Sequence, residues 1–155
     1  MSTKILKLKF EGQDFGYVRL NKSGTFYGDG SESQAVEFQQ VKYKNTNDTF
    51  YYKVAGTKDS YMDFSLTSSI VKVTKPFFSV EKSSICAWKL VDGELHAVLS
   101  GKDTTKAISR SKHDPESKVL YANTFIDGNH CEVSIQNATD KSSNAVKDEL
   151  KHALV

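Results

Sequence analysis

Apolar and polar residues alternate with a period close to two along much of this chain, in short runs separated by polar or glycine-bearing punctuation. In the first run, Ile5, Leu6, Leu8 and Phe10 interleave with Lys4, Lys7 and Lys9. Comparable runs follow at 15–20, 36–43, 49–55, 61–66, 70–73, 85–91, 95–99, 119–122, 124–127 and 131–136. Many short strands at this spacing predict an all-β sandwich or barrel. The two prolines, Pro76 and Pro115, fall between runs, where they interrupt no core strand. After Asn137 the period changes. Val146, Leu150, Ala153 and Leu154 recur at i, i+4, i+7 and i+8, which predicts an amphipathic helix over 144–154, capped by Asp140, Ser142 or Ser143.

Within the β region, an aromatic, turn, strand unit recurs. Phe38 to Val41 leads through Asn45, Asn47 and Asp48 into Phe50 to Val54, and Trp88 to Val91 leads through Asp92-Gly93 into Leu95 to Val98. A third unit is expected where Phe125-Ile126 leads through Asp127-Gly128 into Cys131 to Ile135. Each turn carries residues that tolerate positive φ, as a hairpin reversal requires. A second register agrees: Tyr17, Met62 and Ala107 stand 45 positions apart, each after a turn containing Gly12, Gly56 or Gly101.

This pattern over about 4–136 resembles the β-trefoil superfamily, in which three four-stranded units close a barrel capped by three hairpins. The resemblance lies in residue classes, best in the stretch from Tyr61-Met62-Asp63-Phe64 through Trp88 to Leu95. The Gln-x-Trp signature of ricin-type lectins is absent. A β-sandwich with an appended helix uses the same alternation and stays open as the alternative. A pleckstrin-homology-like barrel needs insertions to fill a chain of 155 residues.

That length suits one domain spanning 1–155, with its β part at 4–136 and the helix behind it. The charge balance, 21 basic against 19 acidic residues, does not call for nucleic acid, and the strand lysines are read as a solvated face. No apolar run approaches the roughly 20 residues of a membrane span. Met-Ser-Thr-Lys opens into a strand without an apolar signal core, so a cytoplasmic protein, or one exported without a signal peptide, is expected. In that setting the sequons at Asn21, Asn47 and Asn137 are turn chemistry, and Cys86 and Cys131 are expected as buried thiols, with a disulfide as the alternative.

Candidate chemistry is sparse. The glycines of Ser23 to Ser31 lack the Lys-Ser/Thr and helix of a phosphate loop, so that stretch reads as a hairpin loop. His96, His113, His130 and His152 have no metal-ligand spacing, and neither a metal, a cofactor nor a catalytic residue is expected. His96 and His130, each after an Asp-Gly turn, read as symmetric surface positions. What remains is a non-enzymatic binding protein. The trefoil resemblance implies a lectin-like, carbohydrate-binding module, in which loop Asp or Asn hold sugar hydroxyls while Tyr or Phe stack on the ring. The candidates are Tyr27, Asp29, Tyr61, Asp63, His113 and Asn123. The rival reading is a binder of proteins, such as a protease inhibitor or toxin-neutralising protein, using Lys75-Pro76-Phe77-Phe78 or Ser109-Arg110-Ser111-Lys112 as a protruding loop.

Overall fold

The computed structural model of the chain describes residues 2–138, and the expected helix over 144–154 lies outside them. The described residues form thirteen antiparallel strands: β1 Lys4–Phe10, β2 Gln13–Leu20, β3 Phe26–Gly30, β4 Phe38–Lys42, β5 Thr49–Val54, β6 Tyr61–Phe64, β7 Val71–Thr74, β8 Ala87–Val91, β9 Glu94–Leu99, β10 Lys102–Ser111, β11 Tyr121–Asn123, β12 Gly128–His130 and β13 Glu132–Asn137. Two single 3-10 turns, Glu32–Gln34 and Val80–Lys82, interrupt them. The protein is all-β.

Six strands follow one another side by side in the order β13, β1, β4, β5, β8, β9. The outer edges of this series face each other, with the Val133 N–H donating to Gly93 O at 2.8 Å. Three hairpins, β2–β3, β6–β7 and β10–β11, branch from the six and converge. Their return strands meet backbone to backbone: Leu120 N–H donates to Phe26 O at 3.0 Å, Val71 N–H to Leu120 O at 2.9 Å, and Val73 N–H to Gly24 O at 2.8 Å. Bonding each hairpin to both others satisfies main-chain groups that three free edges would leave unpaired.

The core fills the space between the six strands and the hairpins. Leu6, Leu8, Phe38, Tyr52, Trp88, Leu95 and Val133 enter it from the six strands, and Val18, Phe26, Met62, Val71, Ile108 and Leu120 from the hairpins. Three of the tight reversals, Glu11-Gly12, Asp92-Gly93 and Ser100-Gly101, have positive φ at both residues, the two-residue form whose twist matches that of the flanking strands.

Three expectations are corrected. Phe125-Ile126 is a solvent-facing turn between β11 and β12, 74% and 83% exposed, and the third unit's inward position opposite Phe38 and Trp88 belongs to Val133. The glycine-bearing stretch is the strand β3. Gly28 there is a packing requirement, since a Cβ would stand 2.7 Å from Leu8 Cδ1 and 2.8 Å from Leu120 Cδ2. Ser109-Arg110-Ser111 lies within β10 with Arg110 buried, so it is no protruding loop.

Candidate functional site

A wide cleft of about 720 Å³ opens beside the β6–β7 hairpin, between the turn after β7 and the β9–β10 reversal. Asp63 reaches it from β6, Thr74 from the end of β7, Tyr51 from β5 and Tyr43 from the segment after β4. Glu81 and Ser83 come from the 3-10 turn and its exit. Local geometry fixes several of these groups. Ser83 Oγ donates to Val80 O at 2.7 Å and accepts from Ile85 N–H at 3.2 Å, while Asp63 Oδ1 accepts the Cys86 N–H at 3.4 Å.

Tyr51 and Tyr43 pack with ring centres 5.6 Å apart, and Tyr61 meets Tyr51 edge-on at 6.2 Å. Burial, followed by the neighbouring Tyr43 and Glu81, pushes the Tyr51 phenol above its ordinary pKa, so it remains a hydrogen-bond donor at neutral pH. Thr74 Oγ1 is buried and has no hydrogen-bond partner among the described residues. A hydroxyl in that condition on a cleft wall favours a polar group arriving from the cleft. Two carboxylates, phenols and several hydroxyls around one opening can donate to and accept from a polyhydroxylated molecule.

The six sequence candidates do not form one site. Asp63 lines the wide cleft, and Tyr61, on the same face of β6, lies behind it as support for Tyr51. Tyr27 and Asp29 are joined by Arg19, whose guanidinium carbon sits 4.5 Å from the Tyr27 ring centre and whose Nε donates to Asp29 Oδ1 at 2.7 Å. Asp29 also lines a second cleft, of about 390 Å³. His113 is exposed on the segment between β10 and β11, away from both linings. Asn123 is committed on β11, where its carbonyl faces His130 Nε2 at 2.8 Å. Tyr43, Tyr51, Glu81 and Ser83 were missed by sequence reasoning, because their only local signal is polarity near a turn.

A polar network spans β9, β10 and β12. Glu94 Oε1 lies 3.2 Å from His96 Nε2 and 2.9 Å from His130 Nδ1, and Asp103 Oδ1 lies 3.0 Å from His96 Nδ1. Both nitrogens of each ring have an oxygen within hydrogen-bond reach. These histidines are interior groups, contrary to the expected surface positions. Among the described residues no cluster of His, Cys, Asp and Glu is arranged to hold a metal ion. Cys86 and Cys131 are both free and buried. Burial pushes the Cys131 thiol up to about 12, against the opposing charge of Arg110, and burial with Asp63 raises Cys86 well above its ordinary value. No helix among the described residues is long and apolar enough to cross a membrane.

No protein-family model matches the chain, and no curated protein sequence matches it.

Proposed function

We propose that this chain is a non-enzymatic, lectin-like carbohydrate-binding module built on a β-trefoil-like scaffold, with its sugar site in the wide cleft. The scaffold reading is supported by the six-strand series and the three hairpins whose return strands bond mutually at Phe26, Val71 and Leu120. The observation that carries the functional reading is the lining itself: Asp63 and Glu81 for sugar hydroxyls, Tyr43 as an aromatic wall, and the unpartnered Thr74 hydroxyl. Two thiols held protonated leave neither cysteine activated as a nucleophile, which favours binding over covalent chemistry.

A glycan array run with the wild type and with Asp63→Asn and Tyr43→Ala tests this. Neutral glycans are expected to bind the wild type and to lose about tenfold or more in each variant, the effect of one good hydrogen bond or stacking contact. An array blank at concentrations suited to weak single sites defeats the reading.

One observation favours a second reading, a protein-binding role such as protease inhibition. Phe77 and Phe78 in Lys75-Pro76-Phe77-Phe78 are 93% and 84% exposed and pack edge-on against each other at 4.9 Å. A panel of proteases assayed with the wild type and a Phe77→Ser/Phe78→Ser variant decides it, inhibition by the wild type alone being the supporting result.

A further inference from the structure

The second cleft holds a charge arrangement that the wide cleft lacks. Arg110, on β10 opposite Asn129 of β12, is only 5% exposed yet lines this opening. Its Nε donates to Ser117 O at 3.1 Å and one terminal nitrogen reaches Gly28 O at 3.5 Å, while the guanidinium carbon lies 4.5 Å from the Phe15 ring centre. No carboxylate pairs with it among the described residues, and its other terminal nitrogen has no hydrogen-bond partner there. Burying a guanidinium without a counter-charge is costly, which makes an uncompensated one on a cleft wall informative.

The acids in the lining do not cancel this charge. Asp29 is held by Arg19 at 2.7 Å, and Asp14 stands 4.0 Å from both Lys7 and Lys9. Lys118, half-buried in the same lining, has no ion pair or side-chain hydrogen bond among the described residues. Two cations therefore remain without a carboxylate partner among the described residues, in a space walled by Phe10 and Phe15, whose rings stack at 6.1 Å. Around them Asn129 and the Asp14 carboxylate offer donors and acceptors of the kind that hydroxyl groups need.

We infer that this cleft binds the carboxylate of an acidic sugar, with Arg110 and Lys118 on the carboxylate, Phe10 as an aromatic wall, and Asn129 and Asp14 on ring hydroxyls. A fork of N–H donors suits a planar carboxylate, and a volume of about 390 Å³ is in the range of small-ligand pockets. The site is separate from the wide cleft, so either reading stands without the other.

The test is an NMR titration of the full chain with glucuronate, its methyl ester, glucose and inorganic sulfate, followed at the amides of Asn129, Ser111 and Lys118. Glucuronate is expected to shift these amides with an affinity at least about tenfold above that of the ester and of glucose, as loss of one charge-assisted hydrogen bond implies. Lys118→Gln is expected to weaken glucuronate about tenfold. Arg110→Lys, which keeps the charge and loses the fork, is expected to weaken it at least as much. If Arg110→Lys does not fold, Lys118→Gln decides alone. Glucose binding as tightly as glucuronate, sulfate matching glucuronate at the same amides, or Lys118→Gln leaving affinity unchanged would each overturn the inference. Neutral glycans at the wide cleft are read in parallel at the amides of Ser83 and Ser84, so failure there is told apart from failure here.

Discussion

Grouped around their branching hairpins, the described strands fall into three stretches, β1–β4, β5–β8 and β9–β13, and the second and third are held together by different forces. In the second, Trp88 is wholly buried, its Nε1–H donates to Met62 O at 2.9 Å, and Phe64 packs edge-on against it at 6.3 Å. In the third, the inward residue is the smaller Val133, 4% exposed in the same core. There the chain of Asp103, His96, Glu94 and His130 ties β9 to β10 and β12 by contacts between carboxylate oxygens and imidazole nitrogens. One stretch is therefore sensitive to volume, the other to its polar contacts.

The sharpest way to break the contrast is Trp88→Ala, which removes the largest core side chain and leaves a buried carbonyl unpartnered. A loss of about 3–5 kcal/mol is expected, read by urea denaturation. Glu94→Ala acts on the other stretch, leaving two imidazole nitrogens without the carboxylate oxygen they face. A loss of about 1–2 kcal/mol is expected in the same assay, smaller because the carboxylate is partly exposed.

A pH series sharpens the comparison further. Burial pushes the Asp103 carboxyl up, but the Thr105 N–H, His96 and Lys89 outweigh it and hold its pKa below the ordinary 3.8. The unfolded chain then binds this proton more readily than the folded one. The contribution is fully present above about pH 4, declines as pH falls, and is lost once pH passes below the folded value. Urea midpoints at pH 6 and pH 3 should differ less in Asp103→Asn than in the wild type, and an unchanged difference would count against the network. The smallest effect is expected from Phe125→Ala, below about 0.5 kcal/mol, because this aromatic precedes an Asp-Gly pair without entering the core.

That last residue marks the limit of what local pattern conveys. Hydrophobic alternation located β1, β4, β5, β8 and β9 within a few residues, because each has one face on the core. It assigned Phe125 and Ile126 to a strand because two apolar residues look the same whether the chain buries or exposes them. It missed β3 because Gly28 and Gly30 resemble loop punctuation, whereas the reason for Gly28 is the approach of Leu8 and Leu120, distant in sequence. The 45-residue register was visible: Met62 and Ala107 are fully buried, whereas Tyr17 is half-buried and its neighbour Val18 enters the core. For the sites, Asp63 was accessible to sequence reasoning. Arg110 was not, since its burial depends on Phe15 and Gly28, which reach it only through the tertiary fold.

The pairing of β1 with β13 has a consequence for engineering. Lys4 stands opposite Asn137, and the Ala138 N–H donates to Thr3 O at 2.9 Å, so residues 3 and 138 are neighbours across one ladder. The described backbone nearly forms a continuous loop. A circular permutant that joins these two points through a short linker and opens instead at the exposed Asn45–Asp48 reversal keeps every strand pairing, and moves the free ends to the turn between β4 and β5.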